Sequence, residues 1–221
     1  REVHALRRLR KGVPVPLHHQ RVRTAGGTGS RMSSERFTPG AVALGTFDGM
    51  HPGHLAVIDR TVAEARARGL AARVFTFYEN PRSVFSTAPL SLMTAEEKEA
   101  AMRARGIDEV IFVHFTSEFA AMSPEDFLRM LVDEYGARVL VAGEDYTFGS
   151  RAAGNTRLLR EMSVPLGYEA IVVPLVTVSE GGKRVKISSS AIREAIRENR
   201  KDLVRMYMTE EDGHEESGRD E

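Results

Sequence analysis

Between residues 41 and 77 the chain changes its hydrophobic period twice, and this pattern constrains the fold more than any other feature. Residues 41–44 form a short apolar run, residues 53–68 carry apolar side chains at helical spacing and end before Gly69, and residues 72–77 are mostly apolar again. A strand, a helix and a second strand in this order form a βαβ unit. The sequence therefore predicts two parallel strands that a crossover helix connects.

The alternation continues with three more apolar runs, at residues 110–113, 139–142 and 170–173, which we predict as strands. Helix starts lie between them, one at the capping box formed by Thr94 and Glu97 and one at Ser123, where Pro124 takes the first helical position. Apolar strands that alternate with helices indicate a parallel sheet covered on both faces. We therefore predict an α/β fold, a single domain with a doubly wound parallel sheet.

The C-terminal part adds a short predicted helix at residues 157–162 and a hairpin. The hairpin joins residues 175–179 to 184–187 through a turn at Gly181-Gly182, and the last helix begins at a serine cluster. Ligands of doubly wound sheets bind beyond the carboxyl ends of the strands. The loops that we expect at this edge begin at Gly45, Tyr78, His114, Gly143 and Ile187.

The two ends differ from the middle in charge. The formal net charge is +0, yet Lys and Arg outnumber Asp and Glu nine to two in residues 1–36, and acids outnumber bases seven to one in residues 208–221. Neither end shows helical or strand periodicity. We therefore predict a basic disordered extension at 1–36, a folded domain at 37–207 and an acidic disordered tail at 208–221.

Residues 1–31 are rich in arginine and poor in acids, as organelle transit peptides are. We interpret them instead as an upstream stretch that a misplaced translation start would include. Met32 stands just before the first folded strand, and residues 25–30 form a linker of small residues.

The composition excludes several classes of site. The chain has no cysteine, so disulfides, thiolate zinc sites and cysteine nucleophiles are excluded. No apolar run approaches the roughly 20 residues that a membrane-spanning helix needs. We expect a cytoplasmic protein that binds small molecules and has neither a membrane nor a nucleic acid as partner.

The segment Gly45-Thr46-Phe47-Asp48-Gly49-Met50-His51-Pro52-Gly53-His54 follows the first predicted strand and opens the first helix. Gly53 lets the backbone approach a ligand, and His54 lies at the positive end of the helix dipole, where a phosphate is favoured. Two imidazole groups would then face one phosphoryl group. A metal site at these two histidines is the competing interpretation, but a full ligand set is not evident in the sequence.

A second cluster, Lys186-Ile187-Ser188-Ser189-Ser190-Ala191-Ile192-Arg193, opens the last predicted helix. The simplest explanation of Ser189 or Ser190 is a helix N-cap. Three serines exceed what one cap requires, and Arg193 shares a face of the first turn with Ser190. Hydroxyls, free N–H groups and a guanidinium would converge on one anion, and this arrangement suits a polyphosphate.

The His-x-Gly-His turn and the later Ile-Ser-Ser-Ser-x-Ile-Arg helix start occur together in the nucleotidyltransferase superfamily, which this chain resembles. Within it the chain is similar to the FMN adenylyltransferase module of bacterial bifunctional riboflavin kinase/FAD synthetases. Three further segments carry this narrower resemblance: residues 75–77 with Pro81 and Arg82, residues 88–94, and residues 143–149. The resemblance covers residues 41–203 and implies a Rossmann-like fold and transfer of AMP from ATP to FMN.

The resemblance also implies roles for the matching residues. The catalytic groups would be His51, His54, Ser189 and Arg193. ATP would be bound by Gly45, Thr46, Phe47, Asp48, Gly53, Asp145, Ser188 and Ser190, and the flavin side would be formed by Phe77, Asn80, Pro81 and Arg82. Mg²⁺ would accompany ATP without a metal site built from the protein alone, and the reaction would need no protein nucleophile.

The chain departs from the family pattern at Glu79-Asn80-Pro81, where Pro-His-Pro is common, in residues 198–208, and in showing no riboflavin kinase module. If the chain is complete, a separate riboflavin kinase must supply FMN, and if it is a fragment, the kinase module lies beyond Glu221. Two alternatives therefore stay open. One is a sibling nucleotidyltransferase that acts on nicotinate mononucleotide, phosphopantetheine or glycerol phosphate, and the other is a nucleotide- or flavin-binding regulator without turnover.

Overall fold

A computed structural model describes residues 20–22, 37–81 and 91–209. In chain order the strands are β1 (Gln20–Val22), β2 (Gly40–Leu44), β3 (Ala71–Phe77), β4 (Glu109–Val113), β5 (Ala137–Gly143), β6 (Thr147–Phe148), β7 (Gly154–Asn155), β8 (Glu169–Val173), β9 (Thr177–Glu180) and β10 (Lys183–Lys186). The helices are α1 (Pro52–Arg68), α2 (Ala95–Ala104), α3 (Ser117–Ala120), α4 (Pro124–Asp133), α5 (Thr156–Glu161), α6 (Ser163–Leu166), α7 (Ser189–Arg197) and α8 (Lys201–Met208).

The five predicted apolar strands form one parallel sheet in the order β4-β3-β2-β5-β8, which confirms the predicted α/β, Rossmann-like fold. The strand β1 pairs antiparallel with β4 at one edge. From β2 the chain moves outward to β3 and β4, and it then returns to β5 and β8 on the other side. This reversal makes a topological switch point between β2 and β5, and ligands of such sheets bind there, at the carboxyl ends of the strands.

The limits of the two predicted extensions stay predictions. The strand β1 lies within the predicted basic extension, and α8 reaches the first residue of the predicted acidic tail. Thr209, which follows α8, is also described, and the remaining residues of these extensions lie outside the described part of the chain. Arg82 and residues 88–90, on which part of the resemblance depends, also lie outside it.

Local capping signals set the ends of the helices that flank the site. The left-handed conformation of Gly69, with φ 64°, ends α1 as predicted. Thr94 and Glu97 form the predicted capping box of α2, in which each side chain accepts a hydrogen bond from the other residue's backbone N–H. The Ser123 hydroxyl accepts a hydrogen bond from the backbone N–H of Asp126 at the start of α4.

Each face of the sheet is covered by its own apolar layer. On one face, Val57 and Ile58 of α1 and Met102 of α2 pack against strand residues such as Val74 and Val141. On the other face, the apolar side of α4 and parts of α3 and α5 pack against the strands, and the residues that these helices contribute are Phe119, Phe127, Leu128, Leu131 and Leu159. Because both faces are buried, the strands are apolar at most positions, and the exceptions within β3 are Arg73 and Thr76.

A third, smaller apolar cluster joins the hairpin β9–β10 to α7 and α8. It contains Val178 of the hairpin, Ile187, Ile192 of α7, and Leu203 and Tyr207 of α8. The sequence predicted the hairpin and the start of α7 but not α8 or the one-turn helix α3. This cluster packs α7 against the hairpin and α8, and these contacts fix the position of the serine-rich start of α7.

Candidate active site

A cavity of about 1210 Å³ lies at the carboxyl ends of the parallel strands, over the switch point. Pockets for one small ligand usually measure about 300 to 1,000 Å³, so this cavity has room for two ligands side by side. The structure brings most of the predicted site residues to its wall: Gly45, Thr46, Phe47, His51, Gly53, His54, Phe77, Asn80, Pro81, Asp145, Ser188, Ser189, Ser190 and Arg193.

The turn between β2 and α1 has a strained backbone. Phe47 and Met50 have positive φ angles, 48° and 44°, although neither is glycine, and Gly49 has φ 94°. Left-handed backbone at a non-glycine residue costs on the order of 1–3 kcal/mol and persists only where the surroundings enforce it. Here both side chains are buried in the apolar layer between the sheet and α1: Phe47 is 1% exposed and Met50 is 7% exposed. The turn brings His51 and His54 together at the start of α1.

His51 is the N-cap of α1, and Pro52 takes the first helical position. The Nδ1 atoms of His51 and His54 are both buried, and neither has a hydrogen-bond partner among the described residues. Burial lowers the pKa of His51 from 6.5 to about 4, and the nearby Lys186 ammonium adds to this effect. Burial also lowers the pKa of His54 well below 6.5, helped by the charges of His51, Lys98 and Arg193. Both rings are therefore neutral at pH 7 and have unused hydrogen-bonding capacity.

The start of α7 shows that the predicted cap was placed one or two residues too late. The N-cap is Ser188, whose hydroxyl accepts a hydrogen bond from the Ala191 backbone N–H at 3.2 Å, and not Ser189 or Ser190. The Ser189 hydroxyl instead donates to the backbone carbonyl of Asp48, at 2.7 Å. The second phosphate-type motif is thus joined directly to the first.

Arg193 forms an ion pair with the Asp48 carboxylate. The guanidinium also lines the cavity, so it faces the same space as the two histidines. Asp48, which the resemblance placed in the ATP site, is not among the described residues on the cavity wall, and its side chain is 3% exposed. Its place beside Arg193 comes from the tertiary structure and has no signal in the local sequence.

Two charged residues missed as site candidates lie near these groups. Lys186, at the end of β10, lines the cavity and forms an ion pair with Asp145. Lys98, in α2, is 3% exposed, and burial lowers its pKa, while Asp48 acts in the opposite direction. The only sequence signal for Lys186 was its place next to the serine cluster. Lys98 had none, because lysine in an amphipathic helix usually faces water.

The opposite half of the cavity is aromatic and apolar. Phe77, Phe115 and Phe119 pack edge to face or tilted with ring centroids 5.2 to 5.5 Å apart, and Met122 and Phe148 continue the wall. Of these residues the sequence reasoning assigned only Phe77 to a ligand. The others come from α3 and its flanks and from β6, and these short elements carry no strong periodic signal of their own.

Three of the four residues that the resemblance assigns to the flavin side line the cavity. Asn80 and Pro81 line the cavity beside Phe77, and Arg82 lies outside the described residues. Glu79 is not on the described wall. Its carboxylate forms a hydrogen bond with the Nδ1 atom of His114, at 2.8 Å, on the exposed surface. The departure from the family pattern at Glu79 therefore leaves the described wall of the cavity unchanged.

No three His, Cys, Asp or Glu side chains within residues 20–22, 37–81 and 91–209 come together as ligands for a metal ion. None of the helices in the same ranges combines the length and the apolar character that crossing a bilayer requires.

Comparison with known proteins points to one family. A family model described as FAD synthetase matches residues 33–191. The bifunctional riboflavin kinase/FMN adenylyltransferases of Escherichia coli (strain K12) and Listeria monocytogenes serovar 1/2a (strain ATCC BAA-679 / EGD-e) are each 34% identical to this chain, over 158 and 160 residues. The aligned regions cover 70% and 71% of this chain and 49% of each relative, so the chain spans about half the length of these relatives.

One solved structure has the same fold over the same region. A crystal structure described as that of a macrolide-efflux protein from Streptococcus pneumoniae is 32% identical and superposes with a TM-score of 0.64. The match covers 72% of this chain and 51% of that chain. Since the family model matches well over half of the sequence, the chain belongs to the FAD synthetase family.

Proposed function

We propose that this chain transfers the AMP group of ATP to FMN, giving FAD and pyrophosphate. The family and the names of the relatives support this proposal. The observation that carries it is the division of the cavity into a charged half, built on two helix N-termini, and an aromatic half beside it. The charged half suits a triphosphate, and the aromatic half suits a flat ring system.

In the proposed reaction an oxygen of the FMN phosphate attacks the α-phosphorus of ATP. A bond forms between these two atoms. The bond from the α-phosphorus to the bridging oxygen breaks, and pyrophosphate leaves with the electron pair. No protein nucleophile takes part, so the protein contributes by aligning the two phosphates and by hydrogen bonding to the charge that develops.

His51 and His54 would contact the α-phosphate. Their Nδ1 atoms are buried without a hydrogen-bond partner among the described residues, and a phosphate oxygen would satisfy that capacity. Because the pKa of each ring is lowered, each is a neutral donor at pH 7. The site therefore does not bury two adjacent positive charges when it is empty.

The start of α7 would hold the β- and γ-phosphates, which leave as pyrophosphate. Ser188, Ser190 and Arg193 line the cavity together with the Lys186 ammonium. A guanidinium forms strong, directional hydrogen bonds with phosphate oxygens, and helix N-termini favour anions. These groups would stabilise the charge on the leaving group.

FMN would place its ring system against the aromatic half of the cavity. Phe115, Phe119 and Met122 supply apolar surface there, and Asn80 lines the same cavity. Stacking and edge contacts with aromatic rings stabilise flat ligands beyond simple burial of area. This half of the cavity therefore supports an aromatic acceptor over a small polar one such as glycerol phosphate.

We propose that Mg²⁺ arrives with ATP. Of the described residues on the cavity wall, Asp145 alone carries a carboxylate. Mg²⁺ is commonly held by one or two carboxylates together with waters and substrate phosphates, so Asp145 fits as the one protein ligand. When bound, the metal would neutralise part of the phosphate charge. The expected cytoplasmic location and the source of FMN stay predictions.

The direct test is a product assay with purified protein. The protein is incubated with Mg·ATP and FMN, and in parallel with CTP, riboflavin, nicotinate mononucleotide, phosphopantetheine or glycerol phosphate in place of the matching substrate. Mass spectrometry identifies the products. We expect equal amounts of FAD and pyrophosphate from ATP with FMN and no nucleotidyl transfer from the other pairs.

Two results would contradict the proposal. Transfer to a different acceptor at a higher rate would make the chain a sibling nucleotidyltransferase. Tight FMN binding without any transferred product would favour a regulator without turnover. A His54→Ala variant measured beside the wild type shows whether any product comes from this site.

A further inference from the structure

Asp48 is a buried carboxylate whose bonds all go to the protein. Its Oδ1 atom accepts hydrogen bonds from the backbone N–H groups of Leu92 and Met93, at 2.9 and 3.3 Å, and from the Ser91 hydroxyl, at 3.3 Å. Its Oδ2 atom pairs with Arg193. These contacts leave little of the carboxylate to bind a substrate, and the described cavity wall does not include it.

Through these contacts Asp48 connects three segments that are far apart in the chain. It lies in the turn after β2, it holds the segment that leads into α2, and it pairs with the first turns of α7. The Ser189 hydroxyl adds a second link to α7 through the Asp48 backbone carbonyl. The histidine turn and the serine-rich helix start are therefore held together at one residue.

The backbone around Asp48 needs such support. Phe47, Gly49 and Met50, with φ 48°, 94° and 44°, surround it in the left-handed region. Strain of this kind is kept only where neighbouring contacts over-determine the conformation. The carboxylate contacts to residues 91–93 tie this turn to the start of α2, and the turn leads directly into His51.

The same contacts orient Arg193. A guanidinium carries its N–H donors in a rigid plane, so a carboxylate that bonds one of its nitrogens fixes the orientation of the whole group. Arg193 is 11% exposed in its side chain and lines the cavity. Asp48 also offsets the cost of holding that charge in a buried place.

We propose that Asp48 is a positioning residue that acts through Arg193, fixing the guanidinium against the phosphates without touching a substrate itself. This inference rests on the proposed function, because it assigns the role of one residue in binding ATP phosphates. It differs from the role that the resemblance implied, in which Asp48 contacts ATP.

The test is a double-mutant cycle with Asp48→Asn and Arg193→Gln. Asparagine keeps the size of the side chain and an oxygen that accepts from Leu92 and Met93. It replaces the charged oxygen that faces Arg193 by an NH2 group, which cannot accept the hydrogen bond from the guanidinium. We expect Asp48→Asn to lower kcat/KM for ATP about 100-fold, the loss typical of a catalytic group displaced by about 1 Å. In the Arg193→Gln background the same change should lower it less than about 3-fold, since Asp48 then has nothing to position.

The matched control is Ser91→Ala, which removes a hydrogen bond to the same carboxylate on the oxygen that does not face Arg193. We expect its kcat/KM to stay within about 3-fold of the wild type. Near-normal activity of Asp48→Asn, or an equal loss in both backgrounds, would overturn the inference.

If Asp48→Asn alone does not fold, the double variant is compared with Arg193→Gln, because the double variant buries no unpaired charge. Equal activity of these two supports the inference, and a further large loss overturns it.

Binding of Mg·ATP, measured by calorimetry without an acceptor, separates this inference from the proposed function. If the wild type binds Mg·ATP but makes no FAD, the proposed reaction is wrong. The double-mutant cycle can then still be evaluated, because the dissociation constants of Mg·ATP for the four proteins replace kcat/KM. We expect the same coupling in these constants, with Asp48→Asn weakening ATP only where Arg193 is present. Independent effects of the two changes on ATP binding would overturn the inference.

Discussion

The imidazole rings of His51 and His54 are stacked, with centroids 3.7 Å apart and an angle of 21° between the ring planes. Two protonated rings at this distance would repel each other, and burial disfavours the charged form of each. The pair is therefore neutral at pH 7. It offers two hydrogen-bonding groups at the start of the helix. In the proposed function, two oxygens of one phosphate would each contact one ring.

We expect His54→Ala to lower kcat about 10²- to 10³-fold, the usual cost of removing one preorganised donor that faces developing charge. Steady-state FAD formation with saturating ATP and FMN measures this. The matched control is His114→Ala, an exposed histidine that stacks on Tyr78 and does not line the described cavity. A His54→Ala variant within a few-fold of the wild type would show that this ring does not act on the reacting phosphate.

The lowered pKa of His51 predicts a loss of stability in acid. Above pH 6.5 the residue is neutral in both the folded and the unfolded chain and contributes nothing. Between pH 6.5 and 4 the unfolded chain binds the proton and the folded chain does not, so stability falls as the pH falls. At pH 5 the loss from His51 is roughly 2 kcal/mol.

Denaturant unfolding at pH 7.5 and pH 5.0 tests this prediction on the wild type and on His51→Gln. The difference between the two pH values should be smaller in His51→Gln by roughly the contribution of His51. An equal pH dependence in both proteins would mean that the ring titrates normally in the fold.

We expect Gly53→Ala to weaken ATP binding without weakening the fold. A Cβ atom at Gly53 would lie 3.2 Å from the His51 ring, so the ring must move by a few tenths of an ångström. The backbone of Gly53 has no positive φ, and alanine is favoured over glycine in a helix by about 1 kcal/mol at most. The predicted result is an unchanged or higher unfolding free energy together with roughly a tenfold rise in KM for ATP, the scale set by displacing a catalytic ring. An unchanged KM would show that His51 does not need this position.

The aromatic half of the cavity predicts a selective effect on the acceptor. Phe115→Ala removes a ring that lies 5.2 Å from Phe77 on the cavity wall, and losing the apolar surface that this ring would share with bound FMN costs about 1.5 to 3 kcal/mol of binding free energy. The FMN dissociation constant should therefore rise about 10- to 140-fold. Phe115→Leu, which keeps most of the apolar volume, should retain most of the affinity. An equal loss of ATP affinity would contradict the separation of the cavity into two halves.

Much of the fold follows from local signals in the sequence. The five parallel strands were visible as apolar runs, and Gly69, Thr94 and Ser123 marked helix ends that the structure reproduces. These signals depend on the conformation of a few neighbouring residues, which is why they survive without knowledge of the rest of the chain. The elements that were missed are short: β1, β6 and β7 have 3, 2 and 2 residues, and α3, α6 and α8 have 4, 4 and 8 residues. Segments of this length carry little periodic signal.

The candidate site divides in the same way. The sequence by itself determined that the loops after the parallel strands lie at one edge of the sheet, because strands that alternate with helices run parallel. The order of the strands comes from the tertiary structure, which also puts the predicted loop at Ile187 after β10, in a separate hairpin. The sequence also supplied the two helix starts that carry histidines and serines. Tertiary structure alone decided that Ser188 and not its neighbours caps α7, and that Asp48 faces Arg193, 145 residues away, and not the cavity. Side-chain direction and ion pairing depend on which distant segments pack together, and no local pattern records that contact.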